Sequence, residues 1–177
     1  MSGIVVGFCI KQFERVAYSV LPRVGDYLRL RLLTPQQTEH DRRIFAESDA
    51  LMPESQLADY MVRLASDVPF DGSLAHMTRQ FMWFFSEEGH QYLTPVLRRL
   101  CLTLCGALDQ LDESVAGHTF PLRNRPGEYG LYPEFKDEYP QGEAVFLAAL
   151  AEVRERVKVV NDAYRLYRAQ IKRRLIV

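Results

Sequence analysis

Apolar residues change their spacing near Leu33, and the change divides the chain. Before it, Tyr27, Arg29 and Arg31 alternate with Leu28, Leu30 and Leu32, the period of two that gives a strand one buried face and one wet face. Residues 16–21 are rich in β-branched and aromatic side chains, and Pro22, Gly25 and Asp26 supply turn chemistry between the two runs. This predicts an antiparallel hairpin. Residues 4–8 offer a third strand, while residues 9–19 also read as a short helix.

From Thr34 onward the step is helical. Thr34 is the expected N-cap, with Pro35 at the first helical position and Gln37 where a capping box takes Glu or Gln. Pro53 opens a second helix whose Leu57, Tyr60, Met61 and Leu64 share a stripe, and Pro69 closes it. A third follows Asp71, carries Leu74, Met77, Phe81, Phe84 and Phe85 on one side, and ends at Gly89. Thr94 and Pro95 start a fourth. There Leu97, Leu100, Leu104, Leu108 and Leu111 recur at helical steps, and Cys101, Leu102 and Cys105 extend the apolar surface almost around the cylinder, as in a helix at the middle of a core.

Between Gly117 and Gly142 the helical pattern stops, and glycines interleave with Pro121, Pro126, Pro133 and Pro140. A long loop is expected, yet Phe120, Tyr129, Tyr132, Phe135 and Tyr139 are residues a disordered linker lacks. Beyond it Phe146, Leu150, Val153, Val157, Val160, Tyr164, Tyr167 and Ile171 alternate steps of four and three. That is a heptad seam on a helix of about 30 residues, on the order of 45 Å long. The predicted fold is therefore α+β and mostly helical, one domain over residues 1–177. A small N-terminal antiparallel hairpin or three-stranded sheet (residues 1–33) packs against about five helices. A helical core (34–113), a long loop (117–142) and a long C-terminal helix (143–175) follow.

Composition narrows the class without naming a partner. An apolar fraction of 47%, a charged fraction of 25% and a net charge of −1 lie near the averages for globular domains, so neither disorder nor bulk affinity for a polyanion is indicated. Cys9, Cys101 and Cys105 are too few and too unevenly placed for a disulfide framework, and nothing ahead of them reads as a signal peptide. Reduced thiols and a cytoplasmic location are expected. The longest uncharged apolar run, residues 100–108, falls far short of the roughly 20 residues that cross a bilayer. No membrane partner is expected.

Charge is uneven: from Glu152 onward eight bases face three acids, a local +5, which leaves −6 for the remainder. Arg154, Arg156 and Arg168 flank the seam, where a symmetric parallel dimer would set arginine against arginine. They call for an acidic surface, either within the chain (Asp109, Asp112, Glu113) or on another protein. The seam itself fits the buried face of a terminal helix or, alternatively, an intermolecular coiled coil. Arg165, Arg168, Lys172, Arg173 and Arg174 could track a phosphate backbone, although a helix C-terminus favours cations without any ligand.

Catalytic constellations are missing. Glu87-x-x-His90 is half of a di-metal motif that needs two copies, and Gly89 interrupts it. Glu39, His40 and Asp41 are consecutive, so they point different ways and read as a solvated helix start. Cys101 and Cys105 share a helical face among leucines with no base nearby, which fits inert packing. Phe81, Met82, Trp83, Phe84 and Phe85 cover more than one face; core burial is the expectation, with Trp83 and Met82 meeting a partner as the alternative. There is no nucleotide-binding glycine loop, zinc-ligand spacing or nucleophile elbow. No catalytic residue, metal or cofactor is assigned.

The functional expectation is a non-enzymatic protein-binding or regulatory module of inhibitor, immunity or assembly-adaptor type. Tyr129, Tyr132 and Tyr139 are its candidate anchors, Glu128 and Glu134 part of an acidic rim, and Arg154, Arg156 and Arg168 a second contact group. Self-association through the C-terminal helix belongs to the same reading. The loop aromatics could equally fold back on the protein's own core. The alternatives are a nucleic-acid-associated protein using the basic helix and an enzyme with a site assembled from distant residues.

Overall fold

The computed structural model describes residues 34–131 and 142–175; the hairpin expected in residues 1–33 lies outside them. Thr34 and Gln37 form the anticipated capping box. Thr34 Oγ1 accepts from the Gln37 amide at 3.2 Å, and Gln37 Oε1 accepts from the Thr34 amide at 3.0 Å. They start α1, Pro35–Leu51. After Pro53, α2 (Glu54–Ala65) buries Leu57, Tyr60, Met61 and Leu64, the stripe its sequence draws.

Asp71 then caps α3, Gly72–Ser86, its carboxylate accepting from the Ser73 amide at 2.7 Å. A 3₁₀ turn, Glu88–His90, leads to α4, Pro95–His118. The last helix, α5, runs Gly142–Leu175. The architecture is mostly helical α+β with a long C-terminal helix, as expected.

α4 and α5 run antiparallel and pack most extensively on each other. Ser114 lies opposite Glu152, Gln110 opposite Arg156, and Tyr92, just ahead of α4, opposite Tyr167. From the seam, Leu150, Val153, Val157, Val160, Tyr167 and Ile171 are buried, while Phe146 and Tyr164 pack half-buried at its edge. Each such burial stabilises the fold by roughly 2 kcal/mol. The seam is thus taken up inside its own chain. On α4 the apolar surface is narrower than expected: Leu97, Cys101, Leu104 and Leu108 are buried, but Leu102 is 55% exposed. Only one broad side of α4 meets the core.

A three-stranded antiparallel sheet in the order β1-β3-β2 joins β1 (Phe70–Asp71), β2 (Phe120–Pro121) and β3 (Glu128–Gly130). Phe70 pairs with Tyr129 and Asp71 with Glu128; Phe120 pairs with Gly130 and Pro121 with Tyr129. This corrects the expectation of an unbroken loop from 117 to 142, whose first half is instead a hairpin. Its turn is closed by the Glu128 amide donating to Arg125 O at 3.0 Å, with Gly127 at φ 87°, a conformation that favours glycine. Strands this short carry no period. They form because Phe70, buried against Tyr60 and Tyr129, ties the hairpin to the α2–α3 junction.

Candidate interaction surfaces

The basic residues proposed as partner or phosphate contacts are mostly occupied by their own fold. Arg168 lies 4.9 Å from the Phe45 ring centroid and 5.9 Å from that of Tyr164. Its guanidinium pairs with Asp49 and, at 3.1 Å, with Glu54, and the side chain is only 18% exposed. A phosphate or a partner carboxylate would have to displace two carboxylates from the same chain. The acidic surface that Arg168 demands is therefore internal, but it is Asp49 and Glu54. Asp112 is instead held bidentately by Arg79, at 2.9–3.1 Å.

Arg154 donates to the Ala65 carbonyl at 2.7 Å, closing the end of α2, and Arg156 donates to Gln110 at 2.8 Å. Arg174 donates to Gln170 at 3.1 Å. Lys172 and Arg173 face outward, and among the described residues Arg165 reaches only Asp162, at 3.8 Å with both side chains in water.

Beside Arg168, a shallow crevice between Phe45, Ser48, Met52, Phe81 and Tyr164 leaves no room for a water molecule. Burial pushes the Tyr164 hydroxyl up to about 12. Tyr164 Oη and Arg168 Nε are both buried with no hydrogen-bond partner among the described residues.

At the sheet, Tyr129 stacks on Phe70 with centroids 6.2 Å apart. Its ring lies so close to Gly72 that an added Cβ would come within 2.9 Å of Cε2. Tyr129 thus forms part of the sheet's own packing while remaining partly exposed, and Glu128 pairs with Arg125 at 3.4 Å. Tyr132, Glu134 and Tyr139 lie outside the described residues. Nearby, Ser114 donates to Glu152 at 3.0 Å and His118 Nε2 stands 3.8 Å from the same carboxylate.

Asp41 overturns the reading of a solvated helix start. It is fully buried, and its two oxygens accept from the Leu93 amide at 2.7 Å and the Thr94 amide at 3.1 Å. The Thr94 side chain makes no cap, so an α1 carboxylate satisfies amides at the start of α4 from more than fifty positions upstream. His40 meets the Gln91 carbonyl at 3.1 Å beside it.

Other polar groups in the interior are packing elements. The Tyr92 and Tyr167 hydroxyls hydrogen-bond each other at 2.5 Å, and burial raises both. Burial also pushes the Cys101 thiol far up, with Cys105 adding to it, which keeps Cys101 a neutral, inert group. His90 stacks on Phe84 with centroids 4.1 Å apart and places Nδ1 3.1 Å from the Phe84 carbonyl and 3.2 Å from Glu87. Among the described residues no three His, Cys, Asp or Glu side chains are grouped to hold a metal, and no helix is long and apolar enough to cross a membrane.

Trp83 corrects the expectation that the Phe81–Phe85 cluster is wholly core. Phe81 and Phe85 are buried, Met82 and Phe84 are half-buried, and Trp83 is 62% exposed. The indole stands edge-on to His76, with centroids 6.4 Å apart. Ser73, His76, Gln80 and Trp83 form one outward line on α3 with no charged residue before Glu87. Searches against family models, curated proteins and solved structures gave no match, so the functional reading rests on these surfaces alone.

Proposed function

We propose that this chain is a cytoplasmic, non-enzymatic protein-binding module of regulatory or adaptor type that docks its partner on the outward line of α3. The carrying observation is Trp83, 62% exposed beside His76 and Gln80 on a line of α3 that holds no Asp, Glu, Lys or Arg. Interface centres are depleted in charge and enriched in tryptophan, whose large rigid ring releases much apolar area from water at small entropic cost. The fitting partner is a protein with an apolar pocket for the indole and polar groups for the His76 and Gln80 tips.

The test is quantitative affinity capture from nuclease-treated native lysate with the full chain and its Trp83→Ala variant. At least one protein should fall about thirtyfold with the variant, equivalent to about 2 kcal/mol, while the thermal midpoint stays unchanged. Equal recovery of every captured protein by both chains would sink this reading. Nucleic acid recovered from untreated lysate and lost on Lys172→Glu and Arg173→Glu would replace it with the nucleic-acid alternative.

A further inference from the structure

The outward side of α5 carries a second heptad line that the core does not use. Ala148, Ala151, Glu155, Lys158, Asp162, Arg165, Ala169 and Lys172 repeat at steps of three and four, and all eight are exposed. The apolar residues Leu147, Val159 and Leu166 flank them and are also exposed, Leu166 at 61%. Such a line presents one continuous face along the helix.

Its order of charges is a palindrome of opposites. When a second α5 is laid antiparallel with the two-fold axis at the level of residue 160, Glu155 meets Arg165 of the other copy and Lys158 meets its Asp162. Symmetry makes each pair twice. Ala151 meets Ala169 of the other copy, so the backbones approach closely where the charges end. A parallel pairing would set Glu155 against Glu155 and Lys158 against Lys158. Among the described residues, the ion pair within this line is Asp162 with Arg165 at 3.8 Å, loose and solvated, so both groups are available to exchange partners.

We propose that this face pairs with a second copy of the same chain, forming an isologous antiparallel homodimer through α5. The proposal stands apart from the docking role of Trp83, which lies on α3, and either can fail alone. Four rim-type ion pairs give orientation and register more than affinity. Leu147, Val159 and Leu166 supply the apolar area that leaves water.

Sedimentation equilibrium of the full chain tests it. Dimers should form at micromolar to tens-of-micromolar concentration in low salt, and the apparent Kd should rise about tenfold or more between 50 and 500 mM NaCl as the pairs are screened. The double variant Glu155→Lys, Asp162→Lys should be monomeric, as should Lys158→Glu, Arg165→Glu. An equimolar mixture of the two should recover a dimer containing one chain of each. Far-UV circular dichroism verifies that each variant is folded, and the mixture would not recover a dimer if either were not. Orientation is read from disulfide trapping: Ala151→Cys and Ala169→Cys chains should cross-link when mixed and not when alone, above the wild-type background. A wild-type chain that stays monomeric at 200 μM in low salt, charge-reversed variants that still dimerise alone, or folded variants that do not pair when mixed would each overturn the proposal.

Discussion

Arg168 and Arg165 stand three residues apart on α5. The first lies between Phe45 and Tyr164 and pairs with Asp49 and Glu54, while the second is 80% exposed and, among the described residues, reaches a single carboxylate on its own helix. Residue type and neighbourhood in sequence are nearly identical, so the difference lies in what tertiary structure brings opposite each one. α1 and α2 deliver two acids to Arg168. A charge inside this fold is answered by the fold; a charge on the outer face of α5 keeps its interaction capacity for something else.

Alkaline pH should break the inner half of that comparison first. Burial raises the hydroxyls of Tyr60, Tyr92 and Tyr167 above their ordinary range and Tyr164 to about 12. A raised pKa in the folded state means stability fully present below pH 10, the ordinary tyrosine value, and lost as pH climbs from there through the folded value. These phenols should stay neutral until the fold opens. Absorbance at 295 nm and far-UV circular dichroism, followed above pH 10, should then show a cooperative phenolate step coinciding with loss of helix. A step at pH 10 with helix intact would show the hydroxyls to be accessible.

Asp41→Ala comes next in size, since it strips two charge-assisted bonds and leaves the Leu93 and Thr94 amides unsatisfied at the start of α4. A loss of about 3–4 kcal/mol in urea unfolding is expected. Asp41→Asn should recover part of it. Arg168→Ala should cost about 2 kcal/mol, a figure reduced from that of a buried pair because Glu54 is largely exposed. Arg165→Ala should change stability by less than about 0.5 kcal/mol. Equal losses at 165 and 168 would erase the distinction between the two faces.

What could be read from the sequence follows the reach of each interaction. The capping box at Thr34 and Gln37 and the seam on α5 are local patterns, complete within a few turns, and both stand where the sequence places them. Asp41 could not be assigned its role because its partners lie 52 and 53 residues away and Thr94 looks like its own cap. The same applies to Asp49 and Glu54, which lie 119 and 114 residues from Arg168. Strands of two or three residues have no periodicity to detect, so β1 passes for the junction between α2 and α3, and β2 and β3 for part of a loop rich in glycine and proline. Trp83 is different. Helical geometry already puts it in line with His76 and Gln80 and away from Phe81 and Phe85, and the density of five apolar residues in a row obscured that signal.

α1 is held at its far end by residues made much later. Asp41 waits for Leu93 and Thr94, Asp49 for Arg168, and Arg42 donates to the carbonyl of Leu175, 133 residues downstream. At ribosomal speeds of about 5–20 residues per second, that last bond cannot close until on the order of 10 s after Arg42 has been polymerised. Throughout that interval Ile44 and Phe45, buried in the finished fold, have no α5 to cover them. The nascent chain is most in need of a chaperone at α1, and shortening the last turn of α5 should show up first as aggregation during synthesis.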